Sequence, residues 1–471
     1  MNLKFILNKK MSKLSNQKYC WLLIFVPIFL FLVYLAEFNY LISVLVLSSL
    51  VFLFILFLKI EIGLYLIAIS LPLIGIAFKI SFLELPLVDL LGLFALLSFI
   101  LREVYLYFYD KSKSKLVYPF FSYFLLFFSV CLLSSALSEN IISSLWYSFR
   151  WILFFYLAFI LMPINVVKNE KILRNILILI SISSLLMSFS GLYSLYLQDW
   201  YDSFFRVQPI AIFNYWIFGT NYNLLSEILL CSGFLILSLK YWFKSERISK
   251  LINILSIVLL LTAWLTFGRT AWITIVLQTI IYFSIYFLVI KRKKIDPKSI
   301  ALLLTVFLVI ASPFIFKMFS LQEANISSTQ NRLLLSEISV DAFKNKPLFG
   351  YGSGNFVNLV ADNIRFVAKY GDPLDSHGVW QKILAENGVL GVIAFALFSF
   401  FIFKKLYFGI LNNKKDFELL LPLFVASFGV YFYQFFNTSY YKGRVWLPVS
   451  LALIALILIE RKKINTNKEN V

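Results

Sequence analysis

The chain has 471 residues, of which 61% are hydrophobic and only 14% charged, with 52 Phe, 26 Tyr and a net charge of +19. Ordinary soluble domains are nearer half apolar and a quarter charged, and a soluble fold of this length cannot hide so much apolar surface. The basic balance does not point to nucleic acid, because the cations are scattered as loop anchors beside apolar runs, an arrangement that suits an anionic membrane leaflet.

Apolar runs of about 17–25 residues, the length a helix needs to cross ~30 Å of hydrocarbon, recur from end to end. Lipid offers no partner to an open backbone, so such runs are helices or strands of a closed barrel, and their continuous pattern excludes the barrel. Five lysines precede the first run at 21–35. Its length, the lack of a small-residue cleavage site and the spans that follow predict a retained first helix rather than a signal peptide. Further spans are expected at 40–58, 63–78, 87–101, 119–137, 142–162, 176–197, 224–239, 251–267, 271–290, 300–316, 389–403, 417–436 and 445–459. The expected fold class is therefore all-α, a polytopic transmembrane bundle of about 12–14 spans, the lower count applying if the pair at 40–58 and 63–78 drops out. Cys20, Cys131 and Cys231 lack metal-like spacing and read as small core hydrophobes. Neither a metal nor a cofactor is expected.

Lysine and arginine set the orientation. With the N-terminus inside, the cytoplasmic segments hold the five N-terminal lysines, the cluster KRKK at 291–294, the tail RKK at 461–463 and most other basic short loops. The opposite assignment violates the positive-inside rule, so both termini are expected in the cytoplasm. Three regions follow: 1–316 with the first eleven helices, an outer loop at 317–388, and 389–471 with three helices and a basic tail. Within the loop, Leu333, Leu334, Ile338 and Phe343 fall at near-helical spacing, as do Phe356, Leu359, Val360, Ile364 and Val367. Pro347, Gly350, Gly352 and Gly354 mark a turn-rich linker between these two stretches. A loop this long with amphipathic helices of its own is usually functional.

The candidate chemistry lies on this outer side. His377, in DSHGVW, is the one histidine of the chain, and an imidazole titrating near neutrality suits general base work. A surface histidine without a role is the equal alternative from position alone. Arg269, in TFGRTAW, stands between two apolar runs, where an arginine is costly unless paired or solvated. Arg206 precedes another span on the same side, Arg150 sits in the outer half of its span and Arg332 comes early in the long loop. Each can instead anchor the fold. Guanidinium groups match phosphate oxygens with paired donors, so arginines beside a histidine suit a lipid pyrophosphate leaving group and an incoming sugar hydroxyl. No glycine-rich nucleotide loop is apparent.

The chain resembles the O-antigen ligase and O-antigen polymerase superfamily of bacterial envelope glycosyltransferases. The resemblance rests on GRTAW at 268–272 and on NRLLLSEISVDAFKNKPLFGYGSGNF at 331–356, followed by a histidine and a helix closing with ENGVLG at 386–391. It covers 200–405, and the stretch FRVQPIAIFNYWIFGTNYN departs from the usual spacing of arginine, glycine and asparagine. It implies a metal-independent, inverting transfer of a glycan from an undecaprenyl-pyrophosphate carrier to an acceptor hydroxyl, at the outer face of the bacterial inner membrane. It also implies that His377 is the base and that Arg269 and Arg206 handle the pyrophosphate. A ligase would use a lipid A core as acceptor, and a polymerase a second lipid-linked repeat unit. A transporter of lipid-linked oligosaccharide or another anion is the rival from a different class, and it would be expected to show mid-span charges and repeat symmetry.

Overall fold

The computed structural model describes residues 40–80, 83–109, 116–198, 205–290 and 322–469. The expected spans at 21–35 and 300–316, the cluster at 291–294 and Cys20 lie outside them. Among the described residues the protein is all-α apart from one short hairpin and an isolated bridge between Ile212 and Tyr215. Its elements run α1 (Tyr40–Leu58), α2 (Glu61–Ser70), β1 (Ala77–Ile80), β2 (Leu83–Pro86), α3 (Leu87–Tyr109), α4 (Phe121–Ala136), α5 (Ile141–Val166) and α6 (Glu170–Tyr196). Then come α7 (Tyr222–Tyr241), α8 (Glu246–Trp264), α9 (Arg269–Ser284, extended by a π-helical turn to Ile290), α10 (Gln322–Asn345), α11 (Phe356–Ala361) and α12 (Ile364–Tyr370). The chain ends with α13 (Val379–Asn412), α14 (Lys414–Phe436) and α15 (Gly443–Glu469).

Among the described residues, eight helices are long and apolar enough to cross a membrane, or nine if the bent pair formed by α1 and α2 counts as one span. The expected helix at 63–78 is corrected. Only Glu61–Ser70 is helical, it bends 114° from its neighbour, and the rest becomes irregular chain and strand β1. Ten residues rise only about 15 Å, half the hydrocarbon thickness. Leu71 still has helical φ/ψ and bonds to Ile67 O, and the helix stops at Pro72, which has no N–H to continue the ladder. Strand β1 pairs antiparallel with β2, Ala77 opposite Pro86 and Ile80 opposite Leu83.

The last three long helices show which ends share a face. Helix α13 crosses one way and α14 returns, so the segment before Val379 and the segment 437–442 lie on the same side. Tyr433, near the end of α14, donates its hydroxyl to the Asn223 carbonyl at the start of α7 (2.9 Å). That contact puts the N-terminal end of α7 on this side too, and α8 brings the chain back to it at Arg269.

The loop helices form a second, smaller core of Leu335, Ile338, Ala342, Phe356, Val360, Phe366 and Ala385. This differs in register from the expectation. Leu335 faces inward while Leu333 is exposed, and Ile364 is 83% exposed. The single helix expected around 356–367 is two, because Asn363 accepts a hydrogen bond from the Phe366 amide (3.0 Å) and starts a new helix.

The glycine-rich turn at 347–354 docks on a break in α13. Gly388 there has φ +64° and ψ −165°, a conformation essentially restricted to glycine, and a Cβ on it would lie 2.3 Å from the Leu348 carbonyl oxygen. The carbonyls freed by the break are taken up by the turn: Tyr351 N–H donates to Ala385 O (3.0 Å) and Gly352 N–H to Glu386 O (2.8 Å). On its other side the turn rests on α4 and α5. Ser134 Oγ donates to Phe349 O and Glu386 O (both 2.6 Å), and a Cβ on Gly352 would lie 2.5 Å from that of Ser138.

Candidate functional site

Four of the five residues singled out in the sequence come together near the starts of α7, α9 and α13 and the middle of α10. Gly268 caps α9, so Arg269 opens that helix two residues after Phe267, whose φ is +56°. Arg332 sits near the middle of α10, held over the bundle because Ser336 and Ser339 tie that helix to Gln381 of α13. Gln381 donates to Ser336 Oγ (2.6 Å), and Ser339 Oγ donates to Gln381 O (2.7 Å). His377 lies in the bend leading into α13, where Ser376 Oγ donates to Gly378 O (2.8 Å). Arg206 lies at a bend in the irregular segment before α7. Its backbone is held by Gln198, and its guanidinium stacks 3.7 Å from the ring centroid of Tyr222.

Electrostatics link these groups. Arg332 is half-buried, and its guanidinium is pulled below the ordinary value by burial and by repulsion from Arg269, with the phenols of Tyr222 and Tyr433 opposing. Arg332 Nε is buried without a hydrogen-bond partner among the described residues. His377 is also half-buried. Burial pushes its imidazole down from the ordinary value of 6.5, the Arg332 charge pushes it further, and Asp375 works against both. The result is a site whose guanidinium groups are near enough to repel each other, with a neutral imidazole within reach of the Arg332 charge. Such a site offers an anion strong charge-assisted donors and offers a hydroxyl a base.

The segment carrying His377 is anchored by a buried ion pair that sequence reasoning missed. Lys382 is 2% exposed, and its Nζ lies 2.6 Å from Asp375 Oδ1 and 3.2 Å from Glu386 Oε1, itself 0% exposed. Glu386 Oε1 also accepts the Phe356 amide (3.1 Å). One lysine therefore joins the bend at 375–378 to the glycine-rich turn. In the sequence Glu386 stands out only as the first residue of ENGVLG.

Arg150 joins a different set. It lies in a π-helical stretch of α5, stacks 4.4 Å over Trp151 and donates to Glu84 O (2.7 Å). Its charged neighbours are Asp89 and, through Asp89, Lys442 and Arg444. Glu227, 0% exposed in α7, pairs with Arg444 (3.3 Å) and accepts from Gln434 and Asn437. The signal for Glu227 was in the sequence, since an acid inside an apolar run demands a partner. Its partner was not, because Arg444 is 217 positions away.

Residues 254–396 match the family model described as O-antigen ligase, a stretch holding Arg269, Arg332, His377 and Gly388. A curated relative, the ComP-specific O-oligosaccharyltransferase of Acinetobacter baylyi, is 27% identical over 240 residues, covering 46% of this chain. The chain spans 42% of that relative's length. These matches support the O-antigen ligase superfamily. Arg206 and Arg150 lie outside the stretch matched by the O-antigen ligase model. Among the described residues, no group of His, Cys, Asp and Glu is arranged to hold a metal ion.

Proposed function

We propose that this protein is an O-antigen ligase-type glycosyltransferase of the bacterial inner membrane, with both termini cytoplasmic and the site facing outward. The observation that carries the reading is Arg332, set beside Arg269 and His377 with its Nε unsatisfied. Two adjacent guanidinium groups repel each other until an anion lies between them, and a pyrophosphate ester is the anion their paired donors fit. The donor is then an undecaprenyl-pyrophosphate-linked glycan, and the acceptor a hydroxyl of a lipid A core. The relative's name, an O-oligosaccharyltransferase, supports transfer of an oligosaccharide to oxygen.

In this reading the acceptor oxygen bonds to the anomeric carbon as the bond from that carbon to the diphosphate oxygen breaks. The displacement inverts the anomeric centre. His377 takes the hydroxyl proton, and its depressed imidazole is neutral and able to do so at pH 7. Arg269 and Arg332 receive the charge that builds on the leaving diphosphate. Arg206, fixed on Tyr222, grips the diphosphate from the side of α7. No step in this route calls for a metal ion.

The orientation is supported by the basic short loops, which fall opposite the site. The test uses purified protein in detergent with a lipid-pyrophosphate-linked glycan and either a lipid A core or a second lipid-linked repeat unit. Transfer to the lipid A core supports a ligase, and transfer only to the second repeat unit assigns a polymerase. Absence of transfer to both acceptors contradicts the reading and favours transport of the same lipid.

A further inference from the structure

The residues around Arg150 form a second cationic group on the same face as His377. Lys442 Nζ lies 3.6 Å from Asp89 Oδ2, beyond hydrogen-bonding reach, and 3.7 Å from the ring centroid of Trp151. Arg150 covers the same indole at 4.4 Å. Arg444 pairs with Glu227 and with the Ser439 hydroxyl. Three cations thus face two carboxylates, Asp89 and Glu227, and the group retains a net positive charge. Asp89 Oδ2 is buried and has no hydrogen bond among the described residues.

Asp89, Lys442 and Arg444 of this group open on a small cleft of about 50 Å³. Asp89, Lys442 and Arg444 line one part of it, and Leu71, Ile74 and Val88 line another. That room fits a phosphate group beside Lys442 and Arg444, with an attached hydrocarbon chain lying outside it. Burial brings the Lys442 ammonium down to about 8; Arg444 and Arg150 add to this by repulsion and Asp89 opposes it. An added anion would relieve that repulsion.

We infer that this cleft is a second anion subsite, which takes the phosphate or diphosphate ester of a lipid at Lys442 and Arg444, with Arg150 adding positive charge from across the Trp151 ring. Resting on the transferase reading above, the lipid is the acceptor, held beside the donor site. The two sites are joined through α7, where Glu227 meets Arg444 and Asn223 meets Tyr433. A transferase joining two phosphate-bearing lipids needs two such sites on one face.

The test labels the full-length protein with an amine-reactive reagent at pH 8 and reads Lys442 by peptide mass spectrometry. The probes are a polyprenyl diphosphate and inorganic pyrophosphate. At a probe concentration ten times its Kd, labelling of Lys442 should slow about tenfold. It should slow equally in Arg269→Ala, where the first site is lost. Protection by the lipid alone assigns a lipid source, and protection by both probes assigns the diphosphate group as sufficient. If neither probe protects Lys442, or if Arg269→Ala abolishes protection, the second subsite is overturned. Protection that persists in a protein unable to transfer glycan would leave the subsite standing and remove the transferase reading.

Discussion

Lys382→Met removes the ammonium that joins the His377 bend to the glycine-rich turn. Glu386, 0% exposed, then loses its ammonium partner and is left with backbone donors such as the Phe356 amide. Breaking a buried pair by deleting one partner costs about 3–5 kcal/mol. Asp375 is 31% exposed, so its share is closer to the surface scale of ~0–1 kcal/mol. The retained amide bond places the total near the lower end, about 3 kcal/mol, roughly a hundredfold in the opening equilibrium of the loop. Hydrogen exchange at Tyr351 and Gly352 reports it, because their amides bond to the carbonyls of Ala385 and Glu386. Adding Glu386→Gln should restore much of the loss, as residues of one network couple by about 0.5–3 kcal/mol. Exchange and thermal unfolding of Lys382→Met within about 0.5 kcal/mol of the parent would refute the anchoring role, since that is the scale of a neutral surface change.

Gly388→Ala should destabilise the loop by about 2–5 kcal/mol, combining strain at a glycine-only conformation with overpacking against Leu348. A melting temperature in detergent unchanged from the parent would show that the break in α13 can relax. Transfer by the parent should rise with pH through a midpoint below 6.5 and level off at neutrality, because the base form of His377 is needed and burial and Arg332 depress it. Arg332→Gln removes one depressing charge, so the acid limb should move to higher pH while kcat/KM falls. A limb that stays in place would separate Arg332 from His377.

Much of the architecture was readable from hydrophobic runs. The run at 40–58 has no breaker, and it is helical over Tyr40–Leu58. The run at 63–78 fails because Pro72 and Gly75 interrupt it, and Gly75 lies so close to Trp216 that a Cβ would sit 1.6 Å from its carbonyl oxygen. In the loop, periodicity located the helices but not their inward faces, since Leu333 and Leu335 are equally apolar and only tertiary packing chooses Leu335. For the candidate site, the lone histidine and the arginines at span boundaries stand out because membrane proteins place few charges there. Lys382, Lys442 and Arg444 do not, because lysines and arginines in outer loops look alike until a distant carboxylate is brought to them. Arg150 and Arg269 also look alike in sequence, and only the packing of α3 and α15 gives Arg150 a different set of neighbours.

Donor binding and glycan transfer measured side by side on His377→Ala test the central claim most directly. With Arg206, Arg269 and Arg332 intact, binding of the lipid-pyrophosphate-linked donor should stay near that of the parent. Transfer should fall by about 10²–10⁴, the range for loss of a positioned general base. Transfer at the parent's rate would contradict His377 as the base, and loss of donor binding would place the imidazole among the pyrophosphate ligands instead.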